Sequence, residues 1–168
     1  MLHGDTKRLP LLVGQTTTDR REYLFVAIDD YSRELFAVIL PDKMQTSSAR
    51  FMKQVVDECA YTIEVCYTDN GTEYKGDPRQ NAFMETCAAH DIAQGFTRIK
   101  TPRTSGKGER FIRISMDWHT SHRFKFAAHR ANELKRFINY YIWVRPHIGI
   151  NGLITVEKLL KYFYPENL

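Results

Sequence analysis

Two apolar segments near the start of the chain place the strongest constraint on its fold. EYLFVAI (22–28) and ELFAVIL (34–40) are rich in branched and aromatic residues, and the polar sequence DDYSR separates them. Apolar runs of this length on either side of a short polar turn predict adjacent antiparallel strands of a buried sheet. The rest of the chain must therefore cover a sheet that begins within its first forty residues.

The remaining segments predict further strands and helices around this hairpin. MLHGDTKRLP predicts a short first strand that ends before Pro10, and TIEVCYT (62–68) and DIAQGFTRI (91–99) predict a fourth and a fifth strand. Apolar residues at helical spacing predict helices over 46–59, 79–90, about 104–118, about 129–142 and about 154–163. This order predicts an α/β domain with a five-stranded mixed sheet flanked by helices.

Length and composition are those of one globular domain. The 168 residues are 43% hydrophobic and 26% charged, and no apolar run approaches the ~20 residues of a membrane span. We predict a single domain over 1–168, in which about 129–168 forms a C-terminal helical extension. Cys59, Cys66 and Cys87 lie in no CxxC pattern, which favours reduced thiols in a cytosolic protein.

Charge is distributed unevenly along the chain. Residues 1–90 contain 10 Lys and Arg against 14 Asp and Glu, whereas residues 91–168 contain 14 against 6. Most of the basic excess lies in 98–136, where 11 basic residues face three acids. An acidic half joined to a basic half is typical of a protein that holds cations with one part and a polyanion with the other. Solvated helix faces are the alternative explanation.

Three carboxylates occupy positions from which they could meet. Asp5 lies in the first predicted strand, Asp69 ends the fourth, and Glu109 opens the helix after Pro102. Clustered carboxylates raise one another's pKa unless a cation neutralises them, and Mg²⁺ prefers such oxygen ligands. Two such ions roughly 3.5–4 Å apart would suit in-line phosphoryl displacement. With 20 acids in the chain, the residues alone leave many other triples open.

Other polar residues near these positions have simpler interpretations. Asp29 and Asp30 lie in the hairpin turn, where Asp is favoured for hydrogen bonding to its own backbone. Asn70 and Gly71 are predicted to shape the turn that aims Asp69. Glu73 is interpreted as a solvated loop acid, and a substitute metal ligand is the less favoured alternative.

Several segments together resemble a known family. DNGTEY (69–74) and TPRTSGKGER (101–110) resemble the catalytic core of DDE transposases and retroviral-type integrases, most closely transposases of bacterial insertion sequences. VAIDDYSRELFAVIL (26–40) and NYYIWVRPHIGINGL (139–153) resemble segments that this family carries at the same places. The resemblance implies an RNase H-like fold and an enzyme that cuts and joins DNA with two Mg²⁺ or Mn²⁺ ions.

Carried over by position, the family's catalytic and metal-binding acids fall on Asp5, Asp69 and Glu109. Ser105 stands where the family usually has Asn, and Gly108 replaces a better helix former before the glutamate. These departures leave open a catalytically silent core that only binds DNA or forms oligomers. A nuclease of the same fold acting on RNA–DNA hybrids is a further alternative.

The resemblance also implies DNA as the partner, both transposon ends and target. Lys107 and Arg110 flank Glu109 and are interpreted as contacts to DNA phosphates, with solvated charges as the alternative. Weaker candidates of the same kind are Arg98, Arg103 and Arg113. A homodimer or higher oligomer is expected, in the bacterial cytoplasm and associated with the nucleoid when DNA is bound. No DNA end-recognition segment precedes Asp5 in this sequence, so we expect a fragment of a longer transposase or an excised core.

Overall fold

The computed structural model describes residues 1–77, 79–96, 117 and 122–167. One five-stranded sheet organises this part of the chain, with strand order β3-β2-β1-β4-β5. The strands are β1 Leu2–Arg8, β2 Tyr23–Asp29, β3 Leu35–Leu40, β4 Val65–Thr68 and β5 Ala93–Phe96. The five predicted strands and their order along the chain are confirmed.

Helices flank the sheet as the sequence predicts. They are α1 Gln45–Glu58, α2 Ala82–Ala89, α3 Ala127–Trp143 and α4 Thr155–Phe163, with short 3-10 turns at Ile148–Ile150 and Pro165–Asn167. The helix predicted over 104–118 lies outside the described residues, apart from Asp117. Within the described ranges no helix is long and apolar enough to cross a membrane.

The sheet is mixed because β1 has neighbours of both kinds. β1 pairs antiparallel with β2 along its whole length, and β2 pairs antiparallel with β3. On its other side β1 runs parallel to β4, with Leu2 opposite Cys66 and His3 opposite Tyr67. β4 in turn runs parallel to β5. If this register is continued for two residues beyond the His3–Tyr67 pair, Asp5 of β1 lies opposite Asp69, which follows β4.

Apolar residues of β2 face opposite sides of the sheet in alternation. Phe25 and Ala27 belong to the core that includes residues of α1 and α2, whereas Leu24, Val26 and Ile28 belong to the core that includes residues of α3. A strand covered on both faces has to be apolar at successive positions, which explains the uninterrupted run in the sequence. The three cysteines are free thiols, and Cys66 and Cys87 are buried, as predicted.

Tyr67 connects the three strands on the parallel side of the sheet. Its ring stacks on His3 of β1 with ring centroids 5.8 Å apart. On β5, opposite Tyr67, stands Gly95. A Cβ added to Gly95 would lie 2.4 Å from Cε1 and 2.8 Å from Cζ of Tyr67. The absence of a side chain at residue 95 therefore makes room for the ring.

We expect Gly95→Ala to destabilise the protein by about 1–3 kcal/mol, because the added methyl group forces the Tyr67 ring from its place. Urea denaturation with a spectroscopic probe of folding would measure this loss. Ala93→Ser, at an exposed position of the same strand, is the control and should change stability little. An unaltered midpoint for Gly95→Ala would show that the ring is not held against β5.

Candidate functional site

The parallel pairing of β1 and β4 brings two of the predicted acids together. Asp5 lies within β1, and Asp69 follows Thr68, the last residue of β4. Their charges interact, since the negative charge of Asp69 contributes to raising the pKa of Asp5. Strands that run in the same direction end at the same edge of a sheet, so residues distant in sequence become neighbours there.

Asp5 is a largely buried carboxylate with a defined orientation. Its side chain is 18% exposed. Oδ1 accepts a hydrogen bond of 2.8 Å from the backbone N–H of Thr6, and Oδ2 lies 3.0 Å from Nζ of Lys7. Burial raises the pKa of Asp5, the Lys7 ammonium opposes that rise, and Asp69 adds to it. The ionised form is therefore held at some cost, which a cation would relieve.

Asp69 occupies the exposed tip of β4 in a tight turn. Its Oδ1 accepts a hydrogen bond of 2.9 Å from the backbone N–H of Gly71. The side-chain oxygen of Asn70 accepts a hydrogen bond of 3.1 Å from Nζ of Lys75. The backbone N–H groups of Tyr74 and Lys75 both donate to the Gly71 carbonyl, closing the turn. Asn70 and Gly71 thus lie in the turn that orients Asp69.

Tyr74 ties this turn to the core and to β1, a role that the sequence analysis did not assign. The side chain is almost fully buried, and its hydroxyl hydrogen bonds with the Thr6 hydroxyl, next to Asp5. Its ring packs edge-on against Phe83 of α2 at 5.0 Å. Burial raises the pKa of Tyr74 well above its ordinary value. The signal for this role that the sequence offered was an aromatic residue five positions after the acid at the end of a predicted strand.

The interpretation of Glu73 as a solvated loop acid is wrong. Its side chain is 4% exposed, and its backbone lies against the beginning of α1, where Oγ of Ser48 donates a hydrogen bond of 2.6 Å to the Glu73 carbonyl. The Glu73 carboxylate packs against Gly71. A Cβ at residue 71 would lie 2.5 Å from Oε2 of Glu73 and 2.9 Å from Oδ1 of Asp69. A second acidic side chain therefore lies beside Asp69.

The acids of the β2–β3 hairpin serve the turn, as predicted. Oδ2 of Asp29 accepts hydrogen bonds from the backbone N–H groups of Tyr31 and Ser32 and from the Ser32 hydroxyl. Oδ1 of Asp30 lies 2.8 Å from Nη1 of Arg33. Oδ1 of Asp29 in addition lies 3.2 Å from the N-terminal ammonium of Met1.

The remaining predicted site residues lie outside the described ranges. These residues are Arg98, Arg103, Lys107, Glu109, Arg110 and Arg113. Within 1–77, 79–96, 117 and 122–167, no group of three or more His, Cys, Asp or Glu side chains is arranged to hold a metal ion. The described part of the chain therefore brings together Asp5 and Asp69, and a metal site formed by them with Glu109 stays a prediction.

The described end of the basic segment contains both exposed and buried cations. Arg123, Lys125, Lys135 and Arg136 are exposed. Arg130 is 2% exposed, lies over the Phe124 ring and has Nη1 3.6 Å from Oε2 of Glu22. Burial lowers the pKa of Arg130. Arg130 therefore differs from these exposed cations of the basic segment, because its guanidinium is enclosed beside Phe124 and Glu22.

Residues 1–102 match the family described as integrase core domain. The chain belongs to the integrase core domain family. The matched residues include Asp5, Asp69 and the DNGTEY sequence, whereas Glu109 lies beyond them. No curated protein sequence matches the chain at a significant level.

Solved structures of integrases share the fold of this integrase core. The catalytic core domain of BIV integrase is similar, with a TM-score of 0.71 and 16% sequence identity over 99% of this chain and 97% of that one. A chain of the simian T-cell lymphotropic virus intasome in complex with PP2A regulatory subunit B56 gamma has a TM-score of 0.65 and 15% identity. That match covers 87% of this chain but 49% of the viral structure's chain. The RNase H-like fold expected from the sequence is confirmed.

The chemistry of the described donors fits a hard divalent cation. Asp5 and Asp69 offer carboxylate oxygens, which Mg²⁺ and Mn²⁺ accept as ligands. One oxygen of each carboxylate is oriented by a backbone N–H, and the second oxygen of Asp5 pairs with the Lys7 ammonium, which an ion at that oxygen would have to displace. The two negative charges oppose each other, so a cation between them would be favoured.

We expect Asp5→Asn to raise the free energy of unfolding at pH 7 by about 1 kcal/mol in metal-free buffer. A pKa raised in the folded state means that ionised Asp5 disfavours folding. This penalty is absent below the ordinary pKa of 3.8 and complete above the raised, folded-state pKa. The gain should therefore disappear as the pH falls below 3.8.

Urea titrations at a series of pH values would measure this difference. Asp77→Asn, which neutralises an exposed acid in the loop after β4, is the control and should show little of it. A loss of stability for Asp5→Asn at neutral pH would mean that the Lys7 ion pair outweighs the cost of burial.

Proposed function

We propose that this integrase core cuts DNA and joins DNA strands in a metal-dependent reaction that uses Asp5, Asp69 and Glu109. The observation that supports this most directly is the proximity of Asp5 and Asp69 at one edge of the sheet, in a chain of this family. The two residues come from separate strands, so their proximity depends on the fold. Glu109 enters the proposal from the sequence resemblance alone.

Asp5 and Asp69 would hold the divalent ions, together with Glu109. When bound, two such ions activate the attacking oxygen and stabilise the leaving oxygen of a phosphodiester. The backbone N–H groups of Thr6 and Gly71 orient the two aspartates before any ion arrives. Lys7 is 47% exposed and can turn toward solvent, so an ion at Oδ2 of Asp5 would compete with one partly exposed ammonium.

DNA would be held mainly through its phosphates. The proposed contacts are Lys107 and Arg110, with Arg98, Arg103 and Arg113 in support, and the exposed cations at 123, 125, 135 and 136 extend the same basic segment. Such contacts carry little sequence information and weaken steeply with salt. We also propose that the chain belongs to a mobile element of the insertion-sequence type. It would act in the bacterial cytoplasm on the ends of that element and on target DNA.

Assembly into a dimer or higher oligomer is also proposed. Apolar side chains on and after α3 are exposed, namely Tyr140, Trp143, Val144 and Ile148. Exposed apolar surface of this kind often marks contacts between proteins. One structural neighbour is a chain of a viral intasome, which favours a chain that works within a larger assembly.

We expect the chain to yield Mn²⁺-dependent strand-transfer or disintegration product on branched DNA, and Asp69→Asn to lower the rate about 100-fold or more. The reason is that a neutral side chain would hold the divalent ions more weakly, and these ions stabilise the charge at the reacting phosphate. Gel assays with labelled DNA would measure it, and Asp77→Asn serves as the control. Equal product from the wild type and Asp69→Asn would count against the proposed site.

A catalytically silent DNA-binding core is the second candidate. The observation that favours it is Lys7, whose ammonium already neutralises Oδ2 of Asp5 at 3.0 Å. If this pair blocks the ion, the wild type gives no product while still binding DNA, and Lys7→Met gains Mn²⁺-dependent product. If the enzyme is active, the wild type gives product without that substitution. The two candidates thus predict different outcomes in one assay.

A further inference from the structure

Glu73 combines deep burial with an unused carboxylate oxygen. The side chain is 4% exposed, and Oε2 has no hydrogen-bond partner in the part of the chain that the structure describes. Buried carboxylate oxygens are normally hydrogen-bonded or paired with a cation. A buried charged group that lacks such a partner calls for a ligand or another specific explanation.

The unused oxygen lies on the side of Glu73 that faces Gly71 and Asp69. Oε2 of Glu73 and Oδ1 of Asp69 both approach the empty Cβ position of Gly71, at 2.5 and 2.9 Å. The two carboxylates therefore border one small volume at the tip of β4. Any side chain at residue 71 would fill that volume, so glycine keeps it open.

Lys43 neutralises Glu73 only in part. Its Nζ lies 3.9 Å from Oε1, the other carboxylate oxygen, and its side chain is 53% exposed. That distance is too long for a hydrogen bond. Oε2 therefore stays available on the side that faces Asp69.

We propose that Glu73 is a positioning residue of the cation site, whose Oε2 accepts a hydrogen bond from a water in the hydration shell of the ion at Asp5 and Asp69. This inference rests on the proposed function. Mg²⁺ keeps several of its waters in proteins, and each water needs an acceptor for its protons. A role through water also agrees with the absence, within the described residues, of a three-residue group arranged for direct coordination.

The test is Mn²⁺ binding to the 168-residue chain, measured by the EPR signal of free Mn²⁺. Glu73→Gln should weaken binding about tenfold, the lower end of the range for partners of metal ligands. Glu64→Gln removes the same charge at an exposed residue just before β4, and should bind as the wild type does. Melting curves without metal would show that each variant is folded.

Two further variants separate positioning from a purely structural role. Gly71→Ala leaves every charge in place but displaces the Glu73 carboxylate and crowds Oδ1 of Asp69, and should weaken Mn²⁺ binding at least as much as Glu73→Gln does. Its backbone φ lies outside the left-handed region, so alanine is compatible with it. Lys43→Met should leave Mn²⁺ binding unchanged or tighter. Weakening by Lys43→Met equal to that by Glu73→Gln would overturn the proposal, since the ion pair would then be what matters.

Asp69→Asn distinguishes the failure of this inference from that of the proposed function. If Mn²⁺ binding depends on Asp69 but Glu73→Gln binds normally, the role of Glu73 is refuted and the cation site stands. If binding is the same with and without the Asp69 carboxylate, the proposed function and the role of Glu73 are both refuted. Weaker binding in both variants supports both.

Discussion

The parallel pairing of β1 with β4 is the interaction on which the rest of the site depends. β1 begins the chain and is already paired antiparallel with β2 on its other side. A parallel partner requires a crossover, which the chain makes through β3 and α1 before it returns as β4. This return brings a buried aspartate within β1 next to the exposed aspartate that follows β4. Without that pairing, Asp5 and Asp69 would be unrelated surface acids.

Negative charge at this edge of the sheet is balanced by several weak contributions. Backbone N–H groups bind one oxygen of Asp5 and one of Asp69, while Lys7 and Lys43 approach from partly exposed positions. Neither lysine is buried with its partner, so both can move away when a stronger cation is present. Burial and the charge of Asp69 disfavour ionised Asp5, which favours the binding of a cation, and the partly exposed lysines leave room for one. A carboxylate whose pKa is raised by burial beside a second acid is a common feature of functional sites.

Much of the fold could be predicted because each element depends on local pattern. The uninterrupted apolar run of β2 and the helical spacing in α1 are properties of consecutive residues, and both elements formed within a few residues of the expected bounds. The burial of Glu73 and of Arg130 could not be predicted for the opposite reason. A charged residue in a loop or on a basic helix is usually solvated. Tertiary contacts decide otherwise for these two residues. Glu73 lies against the beginning of α1, where Ser48 donates a hydrogen bond to its carbonyl, and Arg130 is enclosed beside the Phe124 ring and Glu22.

The sequence by itself determined the order of strands and helices, the family, and which acids were candidates, because periodicity and motif are written in neighbouring residues. The tertiary structure alone decided that Asp5 and Asp69 interact, that Tyr74 connects the turn after Asp69 to β1, and that Glu73 is buried near Asp69. Burial and the proximity of charges arise from contacts between residues far apart in the chain. Patterns of neighbouring residues in the sequence do not give the spatial distance between such residues. Those contacts exist only once the strands have paired.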